Sequence, residues 1–314
     1  MHSAANKVDR MLRTAVIIPC LNEEATISKV VRDFKRSLPD ATLYVYDNGS
    51  RDASRSIALR EGAEVRVVPR KGKGNVIRQA FADVDADIYV MVDGDSTYDA
   101  ASAQLLITAL LENECDMVTA CRIRGESSAD PRRGHAFGNY LFSRLVQILF
   151  GSTTRDVLSG YRVLSRRFVK SFPITARGFD IEVQITAQAA MLRVKEMSIN
   201  TMYHERTDSE SKLHTIRDGL RILVSLFRIY RAYSPSRFFG TFSVLSLITA
   251  ISLLLGEPFG SDNQYVFSLF LVGSFLFFLV GIILNGVTRL QFQQSRLGFL
   301  RYASPGIKTD RNPL

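Results

Sequence analysis

Two carboxylates one residue apart, Asp93 and Asp95 in Asp93-Gly94-Asp95, close the apolar run 87–93. At a strand end such a pair can share a divalent cation, Mg2+ or Mn2+, and the cation can neutralise a diphosphate leaving group. Alone, the pattern is more often a solvated acidic turn; its place in the chain, described below, favours the metal. A third acid, Asp47, ends another apolar run and is followed by Asn48-Gly49-Ser50. A plain turn accounts for Asn48 and Gly49. It does not account for an acid on the last strand residue, where a carboxylate can accept hydrogen bonds from a ribose or nucleobase. Lys71-Gly72-Lys73-Gly74 precedes a helical pattern. Glycine there lets backbone approach phosphates with lysine charge nearby; a basic surface turn is the equal alternative. Arg122, Arg124, Arg132, Arg133, Arg206 and Lys212 supply further cations, and planar guanidinium groups suit bidentate phosphate binding. The four histidines show no ligand spacing and read as surface residues. Cys20, Cys115 and Cys121 lack any C-x-x-C spacing, so they make neither a zinc site nor a disulfide framework. They read as reduced thiols of a cytosolic domain.

These residues need elements that bring them together. Strand patterns at 15–20, 42–47, 64–68, 87–93 and 116–121 alternate with helical patterns ending at Leu38, Glu61, Asp83 and Asn113. That alternation predicts an α/β fold, a mostly parallel Rossmann-like sheet covered on both faces. Ligands of such sheets bind beyond the carboxyl ends of the strands. The polar clusters Pro19 to Glu23, Asp47 to Ser50, Asp93 to Asp95 and Arg122 all sit there and should converge on one crevice. The middle of the chain is less regular: an amphipathic helix over 134–150, a polar loop from Asp156 to Arg162, and a helix opened by Gly178-Phe179-Asp180-Ile181-Glu182.

The net charge is +9, and the basic residues crowd the stretches flanking two long uncharged apolar runs, 238–256 and 265–288. That placement favours an anionic membrane surface over nucleic acid as the partner. Each run matches the ~20 residues of a spanning helix; a buried core hairpin is the alternative. Residues 214–233 place Ile216, Leu220, Leu223, Phe227 and Tyr230 on a helix also bearing Arg217, Arg221, Arg228 and Arg231. This is the pattern of an interfacial helix, or of a basic surface helix packed on the domain. The loop 257–264 carries Glu257 and Asp262 but no Lys or Arg, whereas Arg231, Arg237, Arg289, Arg296 and Arg301 flank the other ends. The positive-inside rule then puts the first domain and the tail in the cytosol, on the inner face of the cytoplasmic membrane. The expected organisation is a catalytic domain over 1–212, a juxtamembrane amphipathic helix over 213–237, a two-helix transmembrane hairpin over 238–288 and a basic tail over 289–314. The segment 1–13 is polar and basic, unlike a secretory signal.

On these motifs the chain resembles the GT-A glycosyltransferases of family 2, in the branch of dolichol-phosphate mannose synthase and the bacterial polyprenyl-phosphate glucosyltransferases. The resemblance runs from Val16 to about Lys212, and the paired C-terminal apolar runs match the bacterial members. It implies that Pro19, Asn22, Glu23 and Asp47 form the nucleoside pocket, with Lys73 nearby. Asp93 and Asp95 would be the D-x-D metal site. Arg122 and Arg132 or Arg133 would bind the acceptor phosphate. Asp156, Ser159 and Gly160 would form a loop near the sugar, and Arg206, Ser211 and Lys212 a loop closing on the phosphates. Two positions depart from relatives: Ser96 stands where mannose synthases often carry Gln, and Asn48 where many relatives have a second acid.

The resemblance implies inverting transfer of a hexose-type sugar from a nucleotide-diphosphate sugar, a UDP-sugar ahead of GDP-mannose, to polyprenyl phosphate. An anionic phosphate acceptor needs no general base; the cations lower repulsion between two anions. Asp95 and Arg122 would carry the reaction, with Asp156 positioning the sugar. Bacterial relatives imply a homo-oligomer, often a tetramer. A processive polysaccharide synthase is disfavoured by the absence of Trp, which its Q-x-x-R-W motif needs. An inactive nucleotide-sensing membrane protein should have lost the acids or the cations, and both sets remain.

Overall fold

The computed structural model describes residues 12–123, 133–176, 178, 180–204, 215–255 and 261–305. The first part alternates β1 (Thr14–Cys20), α1 (Ile27–Ser37), β2 (Thr42–Asp47), α2 (Ser54–Arg60), β3 (Glu64–Val67), α3 (Lys73–Asp83) and β4 (Ile88–Met91). A short 3-10 turn, Ala100–Ser102, leads into α4 (Ala103–Glu112). Then follow β5 (Met117–Ile123), α5 (Arg133–Phe150), β6 (Arg162–Ser165), α6 (Arg166–Ser171), α7 (Ile181–Leu192) and β7 (Glu196–Met202). Three helices end the described chain: α8 (Thr215–Tyr233), α9 (Pro235–Leu255) and α10 (Ser261–Leu300).

The strands form one sheet in the order β3-β2-β1-β4-β6-β5-β7. All pairings are parallel except those of β6, which runs antiparallel to both β4 and β5. Alternate residues of the central strands feed two cores. Val16, Ile18 and Val90 pack with Val31 and Phe34 of α1 and Leu106 and Leu110 of α4. Ala15, Ile17 and Met91 pack with Ile77 of α3, Phe168 of α6 and Ile185 of α7. Strands buried on both faces must read as continuous apolar runs, and β1 and β4 do. The chain moves outward from β1 to β2 and β3, then returns to add β4 on the other side of β1. That reversal opens a crevice beyond the ends of β1 and β4.

The sheet is the mostly parallel, Rossmann-like one expected, with β6 and β7 added to it. β6 is four residues long and begins with an arginine, Arg162, that is fully buried; a charged residue in a short run does not announce a central strand.

α9 and α10 are long and apolar enough to cross a membrane. They touch through small residues and reciprocal bonds: Ser243 Oγ donates to the Ser274 carbonyl and Ser274 Oγ to the Ser243 carbonyl, both at 2.9 Å. Such contacts suit helices packing without a hydrophobic driving force. The outward residues, Leu245, Ile248, Leu269, Val272 and Ile283 among them, are exposed, unlike those of a buried core hairpin. The stretch from 289, expected as a tail, instead continues α10 to Leu300, giving a helix of roughly 60 Å at 1.5 Å per residue. Its end is clasped to α6, because Phe292 and Phe299 recur on one face and find the second core. The Arg167 guanidinium lies 4.6 Å from the Phe299 ring centre and that of Arg166 5.1 Å from Tyr302. In α8, Leu226 and Ile229 are buried against α5 and α7, while Leu223, Val224 and Phe227 remain exposed.

Candidate active site

The loops after β1 and β2 are stitched by short polar side chains that bond backbone. Asn22 takes a left-handed conformation (φ 52), which asparagine tolerates better than most residues. Its Oδ1 accepts the Arg51 amide at 2.9 Å, and its own amide donates to Ser50 Oγ at 2.9 Å. The Glu23 amide donates to Ser54 Oγ at 2.7 Å. Pro19 lies one residue before the end of β1, paired with Tyr46 in the register. Asp47 is buried, and its Oδ1 accepts the Ser50 amide at 3.2 Å. Asn48 does more than turn the chain. Its side chain donates to the carbonyls of Val68 (3.1 Å) and Arg70 (2.8 Å) and accepts the Gly72 amide (2.6 Å). It thereby fixes the stretch that launches α3. Gly72 has φ 116, open to glycine and strained for other residues.

Launched this way, Lys73 does not project into solvent. Its Nζ lies 2.5 Å from Asp93 Oδ1 and 2.5 Å from Glu182 Oε1. Burial alone would depress the ammonium, but the two carboxylates outweigh it and raise its pKa. Glu182 is buried too, and burial raises its pKa against the pull of Lys73. Its Oε2 has no hydrogen-bond partner among the described residues. Sequence reasoning missed Glu182 because an acid in the first turn of a helix is explained by the helix dipole alone.

Asp93 and Asp95 follow β4, and Thr26 Oγ1 ties their turn to the first loop by donating to the Gly94 carbonyl at 2.8 Å. Asp95 Oδ1 accepts from Thr97 Oγ1 at 2.6 Å. Ser96 between them has φ 58, a conformation costing roughly 1–2 kcal/mol for an ordinary residue. Gly160 faces Asp93 so closely that a Cβ there would collide with the carboxylate. Both aspartates keep partial exposure.

Near the end of β5, Arg122 forms a bidentate pair with Asp156: Nε to Oδ2 at 2.7 Å and Nη2 to Oδ1 at 2.8 Å. Asn139 of α5 adds a bond to Asp156 Oδ1 at 3.1 Å. Burial alone would lower the Arg122 pKa and raise that of Asp156; their mutual attraction reverses both. Tyr203 lies under the guanidinium at 5.5 Å. The arrangement makes Asp156 a brace for Arg122 and leaves Nη1 without a hydrogen-bond partner among the described residues. Arg162, also missed by sequence reasoning, holds the loop that carries Asp156. It donates from Nη2 to the Val157 carbonyl, from Nε to that of Ser159 at 3.1 Å and from Nη1 to Thr186 Oγ1 at 2.9 Å. Ser159 Oγ donates to the Ala120 carbonyl at 2.6 Å, and the Gly160 amide to Tyr98 Oη at 2.8 Å.

Residues 15–172, half of the chain, match the family described as Glycosyl transferase family 2. The chain belongs to that family. This glycosyltransferase is 33% identical to glycosyltransferase AglJ of Haloferax volcanii over 76% of its own length and 79% of that protein. It is 29% identical to the dolichyl-phosphate hexose transferase of the same organism, over 68% of this chain and 92% of that one. Its fold is similar to that of glucosyl-3-phosphoglycerate synthase from Mycobacterium tuberculosis, solved with Mn2+, UDP-glucose and phosphoglyceric acid. That likeness has TM-score 0.55 and 21% identity and covers 70% of this chain and 80% of the synthase.

The candidate site has Pro19, Asn22, Glu23, Asp47, Lys73, Asp93 and Asp95 at the ends of β1, β2 and β4 and the start of α3, and Arg122 with Asp156 by the end of β5. Arg133 opens α5. Arg124, Arg132, Arg206, Ser211 and Lys212 lie outside the described residues. Burial pushes the thiol of Cys20, the last residue of β1, up to about 12.

Proposed function

We propose that this glycosyltransferase transfers a hexose-type sugar, with inversion, from a nucleotide-diphosphate sugar to a polyprenyl phosphate at the cytosolic face of a membrane. One observation carries the reading. A guanidinium braced by a buried carboxylate stands on the same strand-end edge of the sheet as the D-x-D turn, in a chain that also bears two exposed apolar helices. The dolichyl-phosphate hexose transferase among its relatives supports a lipid-phosphate acceptor. The UDP-glucose held by the mycobacterial synthase supports a UDP donor.

In this reading the stitched loops around Asn22, Glu23 and Asp47 receive the nucleoside. Asp93 and Asp95 suit a divalent cation: they share one partly exposed turn, and glycine at 160 leaves the Asp93 carboxylate the place that a Cβ would otherwise take. A cation held by one or two carboxylates plus substrate phosphates is a common arrangement, and when bound it supplies charge to the leaving diphosphate. Arg122, oriented by Asp156, offers its open Nη1 edge to the acceptor phosphate. An acceptor oxygen forms the new bond to the anomeric carbon while the bond to the donor's β-phosphate breaks and the nucleoside diphosphate leaves. The acceptor is already anionic, so no proton needs removal. The exposed Tyr140, Leu141 and Ile148 of α5, whose Asn139 touches Asp156, put apolar surface next to this side of the site.

The test measures nucleotide release from UDP-glucose, UDP-N-acetylglucosamine, UDP-galacturonic acid and GDP-mannose, with and without undecaprenyl phosphate in vesicles. Release that depends on the lipid is the expected result. Equal release with a water-soluble phosphorylated acid in place of the lipid would move the acceptor to the class handled by the mycobacterial synthase.

A further inference from the structure

Away from the strand-end crevice, α5, α7, α9 and α10 border a second cavity of about 550 Å³. Arg193, Arg237 and Arg296 line it together with Ser236, Asn285 and Phe292, and no carboxylate does. Several arginines around the sheet have acid partners. Arg122 is paired with Asp156, Arg167 with Asp116 and Arg166 with Asp85. None of the three cavity arginines has an acidic partner among the described residues, and all three are exposed. Arg193 occupies the left-handed position that ends α7 (φ 51), a place where glycine is usual. A long cation stands there instead, at the mouth of a cavity.

The height of this cavity in the molecule is informative. Arg237 lies in the first turn of α9 and Asn285 near the end of the apolar run of α10, where Ser236 Oγ approaches Asn285 Oδ1 at 3.5 Å. Arg296 lies further along α10, where that helix meets the catalytic domain. The cavity therefore sits between the apolar helices and the catalytic domain. The positive end of α9 adds to the field of the arginines. α7 separates the two sites: Glu182 stands at one end and Arg193 at the other, about 16 Å apart along the axis at 1.5 Å per residue.

We propose that this cavity binds the phosphate of an anionic phospholipid of the surrounding leaflet, at a site separate from the acceptor's. The proposal rests on the reading of α9 and α10 as membrane-spanning helices. Basic pockets at the cytosolic ends of such helices hold anionic headgroups. The volume exceeds what a bare phosphate fills, and apolar walls such as Phe292 stand beside the cations where acyl chains would begin. The lipid would tie α7, and through it the wall of the active site, to the membrane plane.

The test uses the full-length protein titrated with phosphatidylglycerol or phosphatidylcholine of matched chains, with bound lipid counted by native mass spectrometry. Flotation with phosphatidylcholine vesicles runs beside it. Each arginine near an anionic headgroup contributes roughly fivefold, the ratio that corresponds to about 1 kcal/mol. The wild type should therefore prefer phosphatidylglycerol by about tenfold or more. The combined Arg193→Gln, Arg237→Gln and Arg296→Gln variant should lose that preference while keeping undecaprenyl phosphate turnover in neutral vesicles. Arg296→Gln alone, at an exposed position, should lose part of the preference and serves if the triple variant misfolds. Equal retention of both lipids by the wild type overturns the proposal, as does an intact preference in the variants. Displacement of phosphatidylglycerol by inorganic phosphate would make this a free-anion site and overturn it. Parallel loss of undecaprenyl phosphate binding would make the cavity an antechamber for the acceptor and overturn it as well. Failure to float with any vesicle would sink the membrane reading beneath it; flotation without lipid preference sinks this proposal alone.

Discussion

The two walls of the active site are built by different means. The wall from β1, β2 and β4 is held largely by neutral or short side chains bonding backbone, Asn22 to Arg51, Asn48 to residues 68–72 and Thr26 to Gly94, with Lys73 bridging Asp93 and Glu182 behind them. The wall from β5 and β6 is held by arginines, the half-buried Arg122 against buried Asp156 and the fully buried Arg162 against two carbonyls and Thr186. A neutral hydrogen bond contributes about 0.5–1.5 kcal/mol, so the first wall loses strength in small steps. Removing one partner of a buried ion pair costs about 3–5 kcal/mol, so the second fails abruptly. The first wall, proposed above to receive the donor, should tolerate substitution gradually, and the second, proposed to receive the acceptor, should not.

The largest effect is expected where the walls meet. Asp95→Asn removes one charge from a partly exposed turn and should leave the melting temperature nearly unchanged. Turnover should fall about a hundredfold or more, the consequence of losing several kcal/mol of charge stabilisation at the leaving group. Near-normal turnover with a chelator present would remove the metal from the mechanism and make the two aspartates part of the donor wall only.

The next effect separates the walls. Arg122→Ala should raise the apparent KM for polyprenyl phosphate about tenfold, from one charge-assisted contact of roughly 1.5–3 kcal/mol. Affinity for the nucleotide should change little. Asp156→Asn should produce the same pattern more weakly, because Asp156 acts through the orientation of Arg122. Lysine at position 122 should rescue only in part, since it lacks the planar fork. Equal loss of nucleotide affinity in either variant would place the pair on the donor side and erase the distinction.

The walls were also unequally legible in the sequence. Four clusters at strand ends were readable because apolar runs alternate with helical ones, and topology places such ends together. Asp47, Asp93 and Arg122 could be named from that placement. The charges buried behind the two walls could not. Arg162 and Glu182 are buried charges, and charge in a sequence is read as surface. Only their partners, the Val157 and Ser159 carbonyls and Lys73, distant in the chain or hidden in a loop, make burial tolerable. Lys73 was legible as a cation near phosphates but not as the bridge between Asp93 and Glu182. The continuation of α10 beyond Thr288 was hidden because Arg289 and Arg296 mark the end of a membrane run without ending the helix.

Within the donor wall the expected change is smaller. Asn48→Ala removes three bonds to the stretch before α3 while leaving the strand and the turn intact. Donor affinity should weaken about fivefold, from roughly 1 kcal/mol of net hydrogen bonding. The KM for the lipid should stay within twofold or so, as expected of a change that leaves the Arg122–Asp156 pair intact. A larger rise in lipid KM than in nucleotide Kd would show that the two walls are coupled through Lys73 and Asp93.

The smallest effect at working pH, and the sharpest test of the contrast, is a pH dependence that only one wall should show. Burial alone would raise the Asp156 carboxyl, but Arg122 and Asn139 outweigh it and hold it below its ordinary value of 3.8. A carboxylate depressed in the folded state contributes stability that is fully present above its unfolded pKa. That contribution is lost as pH falls through the depressed folded value. The difference in melting temperature between the wild type and Asp156→Asn should therefore be constant at all pH values well above 3.8. It should close only as the pH drops below that value. Asn48 carries no charge, so the difference between the wild type and Asn48→Ala should stay flat over the same range. Thermal melts of the three proteins across an acid series measure both. A gap for Asp156→Asn that closes near pH 6, or an Asn48→Ala gap that closes in parallel, would mean that the ion pair does not hold the second wall.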